Sequence, residues 1–273
     1  MFPLLAKTRL ARWTSFLAGG VASIIFPSAC RICGQDLLTA SRLPICANCL
    51  SSFARITGPH CECCGQPWDD DSDQYELVPL QCQNCSAHNF HFAQVRSLGP
   101  YEGALVRAIL LLKYERLEPL GHWFAKSLAE CVQSDVELRK STVVVPVPLH
   151  PLRKKERGFN QVDLFAKPLA RLLKLPYRPI LLMRTRPRPE KHLLTHDERW
   201  DAVRGAFAMQ SGGRVDNLSI LLLDDVMTTG ATLDACASAL RDAGASSVLG
   251  LTLARAVRPA NPLFSEPYRK GAR

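Results

Sequence analysis

Two groups of residues in this chain carry chemistry that packing alone does not call for. The first is the run Ile220-Leu221-Leu222-Leu223-Asp224-Asp225-Val226-Met227-Thr228-Thr229-Gly230-Ala231-Thr232. It joins an apolar strand, two adjacent acids, and a small, hydroxylated loop that opens a helix. Carboxylates at a strand end, here Asp224 and Asp225, can accept hydrogen bonds from the 2′- and 3′-hydroxyls of a ribose while magnesium neutralises a pyrophosphate. The loop from Met227 through Thr228, Thr229, Gly230 and Ala231 to Thr232 can wrap a 5′-phosphate with backbone N–H groups and threonine hydroxyls. Gly230 permits the close approach. The ligand these parts describe is phosphoribosyl pyrophosphate (PRPP).

An apolar strand ending in two acids also occurs in P-loop ATPases and in phospho-acceptor receiver domains. An ATPase needs an upstream Gly-x-x-x-x-Gly-Lys-Ser/Thr, which this sequence lacks. A receiver carries its acidic pair near the first strand of its domain, whereas this pair follows a long α/β stretch. A polar loop after a core strand is the plainest alternative, and packing gives it no reason for two acids followed by Thr-Thr-Gly-Ala-Thr.

The second group is cysteine. Nine of the eleven cysteines fall between Cys30 and Cys85. Cys30 with Cys33 and Cys46 with Cys49 form two Cys-x-x-Cys knuckles, and Cys61 with Cys64 and Cys82 with Cys85 form two more. Two intervening residues let both thiolates of a knuckle reach one ion, and two knuckles complete a tetrahedral Cys₄ site without an open position. That describes one or two structural zinc ions. Cys63 is left over as an unligated thiol. His60, His88 and His91 read as surface or packing residues because each site already has four sulfurs, and Gly34 and Gly65 supply the positive φ such turns use.

The elements that must position these groups divide the chain into three zones: an apolar N-terminal segment (1–29), a double zinc-ribbon module (30–92), and an α/β domain (93–273). The last alternates β-branched runs with helical patterns, which predicts a mainly parallel sheet flanked by helices. Residues 142–148 read as a buried strand stopped by prolines. Strands are also expected at 220–223 and 247–253. Helices are expected at 105–113, 120–132, 161–173 and 231–243, the last closed by Gly244. The acidic stretch 69–73 reads as a loop and the Pro/Arg tail 259–273 as frayed.

Arg157-Gly158-Phe159-Asn160-Gln161 follows a strand and opens a helix, where α/β sheets present ligand-binding loops. Arg157 can grip a pyrophosphate in bidentate fashion, Asn160 can cap the helix, and Phe159 reads as core. Beside it, Arg153, Lys154 and Lys155 make a basic patch. With a formal net charge of +9 and a pI near 9.1 the chain suits anionic partners, phosphorylated metabolites or nucleic acid. The apolar stretch 16–26 is too short for a membrane span, which takes about 20 residues. It is an imperfect export signal, because Cys30 is needed by a knuckle and Pro27 is ill placed for cleavage.

Taken together the chain resembles the ComF family over most of its length. The resemblance rests on the paired knuckles, Tyr101-Glu102-Gly103 with Leu112-Lys113-Tyr114, Val145-Pro146-Val147-Pro148, Arg157-Gly158-Phe159-Asn160-Gln161, and the loop from Asp224 to Thr232. It implies a double zinc ribbon followed by a type I phosphoribosyltransferase domain that binds PRPP, a cytoplasmic location, and service in DNA uptake during natural transformation or in nucleotide metabolism. The family's Thr-x-x-Gln, Leu-x-x-x-Glu-Arg and Asn pattern is altered here to Arg188-Pro189-Glu190-Lys191, Leu194, Glu198-Arg199 and Ala202. Three functional classes follow: an enzyme displacing pyrophosphate from PRPP with a nitrogen nucleophile, a protein that holds PRPP or single-stranded DNA without turnover, and an adaptor for uptake machinery. No residue declares itself as a dedicated general base.

Overall fold

The computed structural model of the chain describes residues 29–37, 41–68, 80–187 and 196–257. The apolar N-terminal segment up to residue 28, the acidic stretch 69–73, positions 188–191 and 194, and the tail 259–273 lie outside the described residues.

Each ribbon contributes one turn of helix at its second knuckle, α1 (Ala47–Ser51) and α2 (Gln83–Ala87), the knuckle's first cysteine standing at the N-cap and its second lying within the turn. The chain then enters β1 (Gln94–Pro100), α3 (Gly103–Glu115) and α4 (Glu118–Ser134). After β2 (Val143–Pro146) come α5 (Pro151–Arg157) and α6 (Asp163–Leu173). A small insertion follows, made of β3 (Leu182–Arg184), α7 (His196–Asp201) and β4 (Phe207–Met209), with β3 and β4 antiparallel. Then β5 (Ser219–Met227), α8 (Ala231–Asp242) and β6 (Ser247–Arg255) complete the domain.

The main sheet has the order β1-β6-β5-β2, and all three pairings are parallel. β2, β5 and β6 are largely apolar runs because both faces of the sheet are covered. Alternation splits them: Val144, Leu221, Leu223, Leu249 and Leu251 pack on the face holding Phe124 and Phe165, from α4 and α6. Val143, Val145, Ile220, Leu222 and Val248 pack on the other, beneath Leu233, Cys236 and Leu240 of α8. Gly121 makes the α4–α6 crossing possible, since a Cβ there would strike the Leu164 carbonyl. This is the α/β architecture expected, a parallel sheet flanked by helices, with the cysteine module packed on it.

Because the chain leaves β2 for one face and leaves β5 for the other, the carboxyl ends of these neighbouring strands open a crevice. That is where α/β sheets bind ligands.

Several elements differ from the pattern reading. β5 does not stop at Leu223 but stays paired with β6 to its last residue, Met227 opposite Arg255, so both acids lie within the strand. α6 starts at Asp163 instead of Gln161. Buried Asn160 fixes a turn first, its Nδ2 donating to the Val147 carbonyl and its Oδ1 accepting from the Val162 N–H. Phe159 is half-buried, with Arg116 over its ring at 5.5 Å, and is not part of the core. The basic run sits on helix α5, whose first six residues are exposed.

Candidate functional site

The cysteines form two clusters, Cys30, Cys33, Cys46 and Cys49, and Cys61, Cys64, Cys82 and Cys85, with the sulfurs of each within 4.8 Å of one another. Zinc–sulfur bonds of about 2.3 Å in a tetrahedron place sulfurs about 3.8 Å apart. The separations match: Cys30 to Cys49 is 3.8 Å, Cys33 to Cys46 3.7 Å, and Cys64 to Cys82 3.7 Å. Backbone N–H groups already point at thiolate positions, from Cys46 to the Cys30 Sγ at 3.3 Å and from Cys82 to the Cys61 Sγ at 3.3 Å.

Each cluster divides its charge unevenly, with Cys30 and Cys64 held low, Cys49 pushed up by burial and its neighbouring thiols, and Cys85 by its neighbouring thiols and burial. Burial alone would raise the Cys30 thiol, but the backbone donors of Cys33 and Cys46 hold its pKa down at about 6. Hydrogen bonding from Cys85, against the cost of burial and with help from the charge of Arg255, brings Cys64 to about 5. The residues fit two zinc ions in closed sites. Gly34 and Gly65 take positive φ. Cys63 is not one of the four, but its thiol hydrogen-bonds with that of Cys85, and its carbonyl accepts the Val95 N–H at 2.7 Å. The histidines make other contacts: His60 faces the Gly58 carbonyl, His88 stacks on Trp200, and His91 meets Asp234.

At the crevice, β5 delivers the acids. Asp225 is buried, and its Oδ2 receives Nε2 of Gln161 at 2.7 Å and Nζ of Lys113 at 3.0 Å. Arg157 donates in turn to Oε1 of Gln161 and stacks over Tyr114. One network thus links the acid to the arginine singled out in the sequence. Lys113 and Gln161 were legible only as members of a family motif.

Asp224 diverges from its neighbour. Successive side chains of a strand point to opposite faces. While Asp225 is held by α3 and by the turn before α6, Asp224 acts on the α8 side, where its charge adds to burial in raising the Cys236 thiol. Its Oδ1 also accepts the Asp225 N–H at 2.8 Å.

The loop then turns. Val226 is half-buried and Met227 buried, Thr228 is exposed, and Thr229 turns its hydroxyl to accept the Ala231 N–H at 3.3 Å. Gly230 adopts φ +87 immediately before Ala231 and Thr232 begin α8. A helix of this length places unsatisfied N–H groups and the positive end of its dipole at the loop, which suits a phosphate.

The aromatic side chains near the ribbons pack. Phe92 is buried, Phe90 stacks on it at 4.5 Å and meets Trp200 in a tilted contact at 5.7 Å, and Trp68 is half-buried against the same core.

Residues 21–86 match the family model of the double zinc ribbon domain. The chain is 26% identical over 220 residues to "Competence protein F" of Haemophilus influenzae, covering 78% of this chain and 90% of that protein. It is 29% identical over 218 residues to "Competence protein ComFC" of Bacillus subtilis, covering 77% and 84%. To "DNA utilization protein YhgH" of Escherichia coli (strain K12) it is 28% identical over 225 residues, covering 81% and 94%. Among solved structures, glutamine PRPP amidotransferase from B. subtilis superposes with a TM-score of 0.34 at 20% identity, over 50% of this chain and 26% of that one.

Proposed function

We propose that the chain is a ComF-family protein that serves competence or the utilization of DNA, as its relatives' names state for them, through a domain that binds PRPP at the β2–β5 crevice. The observation that carries the reading is the network Arg157–Gln161–Asp225–Lys113. It sets a cation and a polar chain at the strand end, beside a helix N-terminus with a glycine turn. In this reading the N–H groups of Gly230, Ala231 and Thr232, with the hydroxyls of Thr228 and Thr229, hold the 5′-phosphate. Asp224 accepts from the ribose hydroxyls, Asp225 keeps the network in register, and Arg157 swings to the pyrophosphate. Magnesium would accompany the pyrophosphate and offset its charge.

A ligand that binds only the native state raises the melting temperature, by about 2.7 kcal/mol of stability at a hundredfold excess over Kd. PRPP with magnesium is therefore expected to raise the midpoint of the purified protein. Asp224→Ala with Thr228→Ala, both less enclosed than Asp225, should remove the shift. No shift in the parent at millimolar PRPP, or an unchanged shift in the double variant, overturns the reading.

Single-stranded DNA is the second anion proposed. Helix α5 displays Arg153, Lys154 and Lys155 on an exposed surface at the same end of the sheet as the crevice. Such a surface can neutralise the backbone phosphates of a strand whatever its sequence. Among the described residues no helix is long and apolar enough to cross a membrane.

A further inference from the structure

We infer that Arg255 is a positioning residue through which the second cysteine cluster, once filled, shapes the loop from Met227 to Thr232. The inference rests on the reading of that loop as the PRPP site.

Arg255 ends β6 directly opposite Met227, the last residue of β5. It is 5% exposed, and its guanidinium is shared between two neighbours. Toward the ribbon, Nε donates to Oε1 of Gln66 at 2.9 Å, Nη1 to the Cys64 carbonyl at 2.8 Å, and Nη2 to the Cys64 Sγ at 3.3 Å. Toward the loop, Nη1 reaches the Met227 Sδ at 3.0 Å, and the following N–H, of Ala256, donates to the Met227 carbonyl at 2.8 Å.

A buried guanidinium needs an opposite charge. Arg255 donates to both the carbonyl and the Sγ of Cys64, so an ion that pins the four sulfurs would fix these two acceptors, and with them the guanidinium, in place, while its loss would release them.

The rest of the loop's support comes from the same side. The methyl of Met227 lies 2.9 Å from where a Cβ on Gly230 would sit, with the rings of Phe90 and Phe92 at 3.4 and 3.7 Å. The His91 N–H donates to Asp234 Oδ1 at 2.6 Å, holding the first turn of α8. Both aromatic residues and His91 belong to the segment that leaves the second ribbon.

The first ribbon provides a control. It packs on other ground, with Phe53 against Trp123 and Phe124 and with Arg107 donating to the Ile32 carbonyl at 2.6 Å. Loss of its metal has no such route to the loop.

The test compares zinc content, hydrogen exchange of the 227–232 amides without ligand, and PRPP affinity in full-length Arg255→Gln, Cys82→Ser and Cys33→Ser. Arg255→Gln is expected to keep two zinc ions, speed loop exchange and weaken PRPP about tenfold, within the usual range of coupling between sites. Cys82→Ser should lose one zinc and behave likewise at the loop, whereas Cys33→Ser should lose one zinc and leave loop exchange at the parent rate. If Arg255→Gln does not fold, Arg255→Lys is measured in its place, with the same direction expected. Parent-like loop exchange in both the Arg255 and Cys82 variants overturns the proposal, as does equal acceleration in Cys33→Ser. Should the parent itself fail to bind PRPP, the ligand reading falls while loop exchange still decides the coupling.

Discussion

Lys113, in α3, places its ammonium 3.0 Å from Oδ2 of Asp225, and both side chains are largely shielded from water, at 21% and 9% exposure. Removing one member of such a pair leaves a buried charge without its partner, so Lys113→Met is expected to cost about 3 kcal/mol. Burial alone would lower the lysine pKa. The charge and hydrogen bond of Asp225 overcome this and raise it above the ordinary 10.5. A raised cation stabilises fully below its unfolded pKa and loses that contribution as pH climbs through the folded one. Urea melts of parent and variant should therefore differ most between pH 7 and 10 and converge in stronger alkali. A constant gap across that range would show that packing of the lysine stem, and not the ion pair, sets the cost.

Asp135 gives the opposite sign. Burial favours its neutral form, but the Leu138 and Glu137 N–H groups, Nε2 of Gln94 and Nε of Arg96 all donate to it and hold its pKa below the ordinary 3.8. Its contribution is present above pH 3.8 and disappears as pH falls through the folded value. Asp135→Asn should cost about 2 kcal/mol near neutrality, the scale of hydrogen bonds to a charged acceptor. The difference from the parent should shrink below pH 3.8, which acid titration of the two urea midpoints will check.

What the sequence made legible follows from how local each signal is. The strand Ile220 to Leu223, the glycine before α8 and the cysteine pairs announce themselves within a few residues, because apolar runs, positive φ and thiolate chelation are short-range requirements. β1 carries Gln94, Arg96 and Ser97 among its apolar residues and so lacks a clean period. Those polar groups are satisfied by distant partners, Asp135 for the first two and Thr252 for Ser97 at 2.7 Å. The β3–β4 pair is only three residues a side. The bond from Gln161 to Asp225 spans 64 positions and that from Arg255 to Cys64 spans 191, distances no local pattern encodes. The divergence of Asp224 from Asp225 likewise needed the ladder of β5 to be seen.

Metal removal should reach beyond the ribbons. Cys30 and Cys49 are buried in the core under α3 and α4, while Cys61, Cys64 and Cys85 are buried in the core under α8. A Cys₄ ribbon with a core of its own would unfold on chelation and leave the α/β domain folded. Shared cores predict instead that a chelator lowers the melting temperature of the whole chain in one transition, since binding energy of closed zinc sites is folding energy. Elemental analysis should give two zinc ions per chain before treatment. A protein that melts unchanged after complete zinc loss would refute the structural role.

The basic helix α5 separates the two anion sites. Arg153, Lys154 and Lys155 lie fully on the surface, and the helix is stopped by Gly158 at φ +80, after which the chain turns inward to Asn160. Phe90, Phe92 and Trp68 are committed to packing, so base stacking near the ribbons is a weak source of affinity and phosphate contacts must dominate. Each phosphate neutralised on a single strand releases counterions, which lowers the slope of log K against log salt by about 0.7 per contact. Replacing the three residues with Glu should therefore weaken binding of a labelled oligonucleotide and flatten its salt dependence by roughly two units. The PRPP-induced thermal shift should stay at the parent value, because Arg157, Gln161 and the loop are left intact. Fluorescence anisotropy at several salt concentrations measures both quantities. Binding that is absent at low salt in the parent rules out the nucleic-acid surface, and binding that survives the triple reversal with its slope unchanged moves that surface away from α5.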